Sequence, residues 1–205
     1  MAASAPSSIR KMQERLGDPV RNAYILATAA HAGQKRKSGE KYISHPLAVA
    51  EMLFLAGADA DTVCAALLHD AFEQGANRER IERDIHALLG DRVLFLVHAV
   101  SKDGRIADKG KQQSAYMEQI ANAFQVDISA FFIKVADLIH NLRTVASLPG
   151  KTRGKWILEL KYDYLPLLSE YFHRIPSHER EMYHSLLDDL LDVLAAHDRK
   201  AASLA

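Results

Sequence analysis

The chain is poor in cysteine. Cys64 is the single cysteine among its 205 residues, so a disulfide within the chain is excluded. The lack of disulfides is typical of a reducing compartment, and we expect a cytoplasmic location. Cys64 stands in the apolar run 63–68 with no basic neighbour in sequence. We therefore interpret it as a small core residue rather than as a reactive thiol.

Net charge and long apolar runs are lacking as well. The 26 basic residues balance the 26 acidic ones, which gives no sign of the positive surface that nucleic-acid-binding proteins carry. No apolar run is long enough to cross a membrane, and residues 1–8 lack the basic and apolar regions of a signal peptide. We therefore expect neither nucleic acid nor membrane as a partner, and the sequence predicts no particular oligomeric state.

Helix signals, by contrast, recur along the whole chain. Polar capping residues precede apolar stripes with helical spacing, and Gly or Pro follows the stripes. The predicted helices run from Ser7 or Ser8 to Gly17, Asp18 to Gly33, Ser44 to Gly57, Thr62 to about Glu73, Asn77 to Gly90, Val93 to Val100, Gln112 to Phe124, Asp127 or Ser129 to Leu148, Trp156 to Tyr171 with a break at Pro166, and Ser177 to about His197. Since 48% of the residues are apolar, we expect one all-α domain over residues 1–205, with its core at about 18–197.

Two segments are open to β structure. Residues 93–100 are β-branched and apolar, so a strand is an alternative there; we favour a helix because Asp91 can cap it and its neighbours are helical. Residues 36–42 are compatible with a short β-hairpin that turns at Ser38-Gly39.

Four residues are candidates for binding one divalent metal ion. His69 and Asp70 are adjacent near the end of the most apolar predicted helix, where an unpaired buried carboxylate would be costly. His45 opens a helix beside Pro46, and Asp137 lies in an otherwise apolar segment. Two imidazoles with two carboxylates suit Mn²⁺, Fe²⁺ or Zn²⁺.

Each candidate also has a structural alternative. His45 on its own is as consistent with a helix cap or a surface histidine, and the His69-Asp70 dipeptide is common by chance. Asp137 on its own is equally consistent with a buried salt bridge to Arg143 or Lys134. The metal hypothesis therefore rests on the four residues together and on their sequence context.

That context resembles the hydrolase domain of the RelA/SpoT family. The matching segments are AAHAGQKRKSGEKYISHP at 29–46, AALLHD at 65–70, KVADLIHNLRT at 134–144 and YLPL at 164–167. The similarity runs from about Ala23 to Tyr171, without room for the synthetase and regulatory domains of the long members. It implies an HD-domain helical bundle that acts as a small, Mn²⁺-dependent hydrolase and removes the 3′-pyrophosphate of guanosine alarmones such as ppGpp.

The resemblance also implies roles for individual residues. His45, His69, Asp70 and Asp137 match the metal ligands. Arg36, Lys37, Ser38 and Asn141 match substrate contacts, which suits phosphate because an arginine can bind it through two hydrogen bonds. Glu73 matches an acidic residue implicated in activating water.

One departure from the family pattern concerns the catalytic chemistry. The family pairs the glutamate with an aspartate, whereas this chain has Glu73-Gln74, and a glutamine can hydrogen-bond water but cannot take its proton. Two alternatives stay open beside the guanosine alarmone hydrolase, and Gln74 motivates the second of them. One is a hydrolase for an adenosine alarmone or NADPH, and the other is a catalytically weakened, alarmone-binding regulatory protein.

Overall fold

The computed structural model describes residues 5–73, 78–171 and 174–202, and in these ranges the chain is helical apart from turns and one isolated β-bridge. The α-helices are α1 (Ser7–Leu16), α2 (Asp18–Ala30), α3 (Ser44–Leu55), α4 (Ala60–Leu68), α5 (Arg78–Leu89), α6 (Asp91–Val100), α7 (Lys109–Val126), α8 (Ser129–Thr144), α9 (Gly150–Glu159), α10 (Leu165–Tyr171) and α11 (Arg180–Ala202). The predicted all-α class is confirmed, and residues 93–100 form a helix rather than a strand. No helix among the described residues is long and apolar enough to span a membrane.

Helices α4 and α8 form the centre of the bundle. Every residue of α4 from Thr62 to Leu68 is buried, as sequence predicts for a helix that is apolar all round. Residues 129–139 of α8 are buried as well. Around these two helices pack α2, α3, α6, α7 and α11, so a polar side chain at the end of α4 or in the middle of α8 is held by the core.

The end of α4 differs from the prediction. The helix stops at Leu68, whereas the sequence pattern predicts that it continues to about Glu73. The carbonyl oxygen of His69 accepts a hydrogen bond from Ser101 Oγ at 2.6 Å, and the Glu73 amide donates to Asp70 at 3.1 Å instead of to His69. In place of the last predicted turn of helix there are tight turns, and these carry His69 and Asp70 within the buried centre of the bundle and the half-buried Glu73 beside them.

The segment between α2 and α3 makes a tight loop rather than a full hairpin. A single antiparallel bridge joins Lys35 and Lys41, and the Arg36 amide donates to the Glu40 carbonyl at 2.9 Å. Gly39 takes a φ of +92° inside the turn, a conformation that favours glycine. The expected turn at Ser38-Gly39 is therefore present, and the expected strands are reduced to one residue pair.

The region around Pro166 is continuous helix with one wide turn. Residues Leu160–Tyr164 between α9 and α10 form a π-helical turn, because a proline supplies no amide hydrogen for the regular hydrogen-bond ladder. Helix α9 begins at Gly150, before the predicted start at Trp156.

Several predicted caps and buried stripes differ from the structure in detail. Pro6 and Gly17 occupy the N-cap positions of α1 and α2, in place of the predicted serines and Asp18. Leu88 and Leu191, which the sequence places on buried faces, are 52% and 45% exposed. The predicted cap Asn77 lies outside the described residues.

Candidate metal centre and its cavity

Three parts of the core bring the predicted metal ligands together. His45 lies in the first turn of α3, His69 and Asp70 follow the end of α4, and Asp137 lies in the middle of α8. All four side chains are buried. The Nε2 atoms of His45 and His69 are 3.2 Å apart, and Asp137 Oδ1 lies 3.1 Å from the first and 3.6 Å from the second.

The orientation of His69 is fixed by the backbone. Its Nδ1 atom donates a hydrogen bond to the Ala66 carbonyl at 2.8 Å. In the neutral imidazole the other nitrogen then carries a lone pair, and that nitrogen, Nε2, faces His45 and Asp137. A hydrogen bond of this kind, from the non-ligating nitrogen to a carbonyl, is the usual way in which proteins orient a metal-binding histidine.

The two oxygens of Asp137 have different partners. Its Oδ2 atom binds Lys134 Nζ at 2.8 Å, so the salt bridge to Lys134 considered from sequence is present. Its Oδ1 atom accepts from Asn141 Nδ2 at 2.6 Å and faces the two imidazoles. Arg143, the other partner considered, binds Asp189 instead. The salt bridge and metal binding are therefore compatible, because they use different oxygens of one carboxylate.

Asp70 borders the same point. Its Oδ1 lies 3.3 Å from His69 Nε2 and its Oδ2 lies 3.5 Å from His45 Nε2. Tyr42 holds this carboxylate by donating to Oδ2 at 2.8 Å. The tightest group is His45, His69 and Asp137, whose candidate ligand atoms all lie within 4.8 Å of one another.

The electrostatics of the cluster favour positive charge at its centre. Burial disfavours the charged form of His69, but the carboxylates of Asp70 and Asp137 outweigh it and raise the pKa of His69 to about 9. Burial also opposes ionisation of Asp137, yet Lys134 and the two histidines hold its pKa well below the usual range. Nitrogen and carboxylate donors that converge in this way suit a divalent transition-metal ion. Such an ion would take the place of the proton that His69 otherwise holds between the carboxylates.

Glu73 lies beside the cluster, and its carboxylate is unusually basic. Burial, followed by the negative charge of Asp70, raises the pKa of Glu73 to about 7. The backbone amide of Lys102 donates to Glu73 Oε1 at 3.4 Å. At Gly104 a Cβ atom would lie 3.1 Å from the Glu73 carbonyl oxygen, so a residue without a side chain suits this close approach. Gln74, its predicted partner, lies outside the described residues.

A cavity of about 400 Å³ opens onto the cluster. We call one part of its lining the inner end and the other the outer end. The inner end comprises Glu73, Lys102, Lys134 and Tyr164, which are linked by contacts to one another and to Tyr116. The outer end comprises Arg36, Thr144, Ser147, Leu148 and Trp156.

The order of residues along α8 and α9 places these two ends. The Tyr164 ring packs on Lys134, with the ammonium 4.7 Å from the ring centre. Arg36 binds Thr144, ten residues further along α8, at 3.0 Å. Trp156 precedes Tyr164 by eight residues, roughly 12 Å of helix at 1.5 Å per residue, so it lies toward Arg36.

The predicted substrate residues all line this cavity. Arg36, Lys37, Ser38 and Asn141 are among its walls, together with His45, Asp70, Glu73 and Asp137. Arg36 also reaches α8, where it donates to Thr144 Oγ1 at 3.0 Å and to Asn141 Oδ1 at 3.4 Å.

Sequence reasoning missed Tyr42, Lys102, Lys134 and Trp156 as wall residues. A signal was available for two of them. Lys134 is nearly one helical turn from Asp137, which places both on one face, and Tyr42 falls inside the long first motif. Lys102 and Trp156 had no such signal.

Comparison with known proteins identifies the family of the chain. The family profile described as HD domain matches residues 23–167. The bifunctional (p)ppGpp synthase/hydrolase SpoT of Escherichia coli K12 is 38% identical over 161 residues, which is 78% of this chain and 22% of that protein. The guanosine-3′,5′-bis(diphosphate) 3′-pyrophosphohydrolase of Aquifex aeolicus is 36% identical over 150 residues, 73% of this chain and 21% of that protein. The chain thus spans about a fifth of the length of these curated relatives.

A solved structure shares the fold. It is described as a metazoan ortholog of SpoT that hydrolyses ppGpp and plays a role in starvation responses. The TM-score is 0.60 and the identity 22%, and the match covers 84% of this chain and 98% of that one. At this identity the likeness concerns the arrangement of helices.

Proposed function

The chain belongs to the HD-domain family, and from that membership and the geometry of the site we propose that it is a metal-dependent hydrolase of guanosine alarmones. The reaction is ppGpp + H₂O → GDP + pyrophosphate, or pppGpp to GTP plus pyrophosphate. Curated relatives named for this activity match over most of the chain. We treat residues 1–205 as a single domain, with its core at about 18–197, and propose a cytoplasmic location because a lone buried thiol at Cys64 favours a reducing compartment.

The observation that carries the proposal is the convergence of the two histidine Nε2 atoms on one oxygen of Asp137. His45, His69, Asp70 and Asp137 would hold the ion, which we propose to be Mn²⁺, since mixed imidazole and carboxylate donors suit it. When bound, such an ion lowers the pKa of a coordinated water and polarises a phosphoryl oxygen. Lys134 supports the site by occupying the other oxygen of Asp137.

Glu73 is the residue we propose as the general base. It lies on the cavity wall beside the cluster, and its pKa of about 7 suits a base that must accept a proton near neutral pH. The Lys102 amide keeps one carboxylate oxygen in place. We propose that Gln74 hydrogen-bonds the attacking water without taking its proton.

The two ends of the cavity suit different parts of an alarmone. Lys102 and Lys134 at the inner end offer positive charge for the departing pyrophosphate. Trp156 and Arg36 at the outer end offer flat surfaces for a nucleobase. Lys37, Ser38 and Asn141 are proposed to contact the phosphates and ribose between these ends.

The proposal is tested by product analysis. Chelator-treated protein reloaded with Mn²⁺ is incubated with ppGpp, and nucleotides and pyrophosphate are quantified by anion-exchange chromatography. We expect equimolar GDP and pyrophosphate from the wild type and none from Asp70→Ala or from the chelated protein. Glu51→Ala, a change on α3 away from the cluster, is the matched control and should keep full activity.

The outcomes separate the alternatives. Faster turnover of an adenosine alarmone or of NADPH under the same conditions would change the proposed substrate but leave the proposed metal-dependent hydrolysis in place. Tight ppGpp binding by calorimetry without products would favour a regulatory protein. Identical traces from wild type and Asp70→Ala would contradict the proposed enzyme.

A further inference from the structure

Arg36 determines which nitrogen of His140 carries a hydrogen. Its Nη1 atom lies 3.2 Å from His140 Nδ1, while its Nη2 atom donates to Asn141 and Thr144. A guanidinium group can only donate hydrogen bonds. The Nδ1 atom of His140 must therefore be an acceptor, and its one lone pair is shared with any second donor that reaches this atom.

The assignment for His140 also determines which nitrogen of His45 carries a hydrogen. The Nδ1 atoms of His45 and His140 are 2.8 Å apart, and one of them must donate. Because His140 Nδ1 is an acceptor, His45 Nδ1 carries the hydrogen. In the neutral ring His45 Nε2 then carries no hydrogen and has a free lone pair. This nitrogen is the atom that faces His69 Nε2 and Asp137 Oδ1.

Without His140 the other tautomer of His45 has a suitable partner. A hydrogen on His45 Nε2 could be donated to His69 Nε2, 3.2 Å away, and would lie close to the Asp137 carboxylate, whose Oδ1 is 3.1 Å from the same nitrogen. That form of His45 cannot bind a metal ion. The buried ring of His45 thus has two competing hydrogen-bond arrangements, and only one of them is compatible with metal binding.

We propose that His140 is a positioning residue for the metal centre, held by Arg36, which keeps His45 in the tautomer that can bind the ion. The inference rests on the proposed metal site but not on the identity of the substrate. It links the loop of residues 31–43, which carries Arg36, to the metal cluster through two hydrogen bonds. It also assigns Arg36 a role beyond contacting substrate.

The first test is Mn²⁺ affinity, measured by isothermal titration on metal-free protein without nucleotide. We expect His140→Ala to weaken binding by about 10–100-fold, the usual effect of removing a hydrogen-bond partner of a metal-binding histidine. His140→Asn should restore most of the affinity, because the asparagine oxygen can take the place of Nδ1 as an acceptor. His86→Ala, a change of an exposed histidine on α5, should bind as the wild type does.

Arg36→Ala provides a second and more specific test. The hydrogen bonds of Arg36 go to His140, Asn141 and Thr144, which are not proposed ligands. A simple substrate role for Arg36 therefore predicts unchanged Mn²⁺ affinity in the absence of nucleotide. Our proposal predicts weaker binding, with Arg36→Lys closer to wild type because lysine can still donate. Nitrogen-15 NMR of the histidine rings reads the tautomer itself, and His45 should carry its hydrogen on Nδ1 in the wild type and lose this preference in His140→Ala.

The outcomes distinguish this inference from the proposed function. Equal Mn²⁺ affinity in the wild type and His140→Ala, or an Asn variant no better than Ala, would overturn the positioning role even in a fully active hydrolase. A wild-type chain that binds no Mn²⁺ would overturn the metal site and this inference together. A chain that binds Mn²⁺ through the predicted tautomer but leaves ppGpp intact would contradict the proposed function and support the inference.

Discussion

The inner and outer ends of the cavity are built in opposite ways. At the inner end the ammonium of Lys134 is buried, bound to Asp137 at 2.8 Å and placed 5.3 Å and 4.7 Å from the ring centres of Tyr116 and Tyr164. At the outer end Ser147 is exposed, and the other four residues, Arg36, Thr144, Leu148 and Trp156, are partly buried. One end is thus fixed by the core, and the other is open to solvent.

The difference assigns them different tasks. Groups that are already held in place by hydrogen bonds and ion pairs can stabilise the charge that develops during a reaction without rearranging first. Exposed groups can adapt to the part of a substrate that is not transformed. Changes at the inner end should therefore alter turnover and stability, whereas changes at the outer end should alter substrate affinity.

Glu73→Gln is expected to have the largest effect. Loss of a general base costs about 10²–10⁴-fold in kcat, while Mn²⁺ affinity should stay close to that of the wild type because Glu73 is not a proposed ligand. Steady-state kinetics with ppGpp and Mn²⁺ titration measure the two quantities. Glu79→Gln, an exposed change in the first turn of α5, is the control, and Gln74→Ala should cost less than Glu73→Gln. Near-normal kcat in Glu73→Gln would show that Glu73 is not the general base.

Lys134→Met tests whether the inner end is held by charge pairing. The change leaves Asp137 buried without its cation, which typically costs about 3–5 kcal/mol. Urea denaturation of the metal-free protein should show a loss of this size, and added Mn²⁺ should recover part of it by binding the folded state. Lys102→Met, at a lysine whose ammonium donates to the neutral amide of Gln113 at 3.0 Å, should change the free energy of unfolding by about 0.5 kcal/mol. Equal losses of unfolding free energy in both variants would contradict a special role for the charge pair of Lys134 and Asp137.

The same contrast explains how far the sequence alone could predict the site. His45 and Asp137 lie within helices, and His69 and Asp70 follow directly after one, so local spacing and burial settle the position of each side chain. The prediction that they come together is confirmed by the distances, although their role as ligands remains a proposal. The all-α fold was predictable for the same reason, since the helical spacing of apolar residues is a local pattern.

What escaped prediction depends on contacts between distant segments. The early end of α4 follows from the Ser101 hydroxyl group, 32 positions after His69. The pairing of Arg36 with His140 spans 104 positions, and Trp156 reaches the cavity only because α9 and the π-helical turn fold back along α8. No local pattern encodes such contacts.

Trp156→Ala tests the outer end. Stacking of a base on an aromatic ring is worth about 1–3 kcal/mol, so we expect KM for ppGpp to rise by about tenfold and kcat to change little. Tyr162→Ala removes an aromatic ring from the same helical run that is 74% exposed, and it should leave both constants unchanged. A fall in kcat with an unaltered KM would place Trp156 with the catalytic residues of the inner end.

The smallest predicted effect is the pH dependence of kcat/KM, which should report the titration of Glu73 at the inner end. Burial and the charge of Asp70 raise the pKa of Glu73 to about 7, and a base acts only when deprotonated. Activity should therefore rise with pH between 6 and 8, by up to about tenfold, and level off above the pKa. A bound cation favours the carboxylate form, so the midpoint should lie at or below 7 once Mn²⁺ is present. Trp156→Ala should keep this midpoint, whereas Glu73→Gln should lose the rise; a rise that persists in Glu73→Gln would assign the titration to another group.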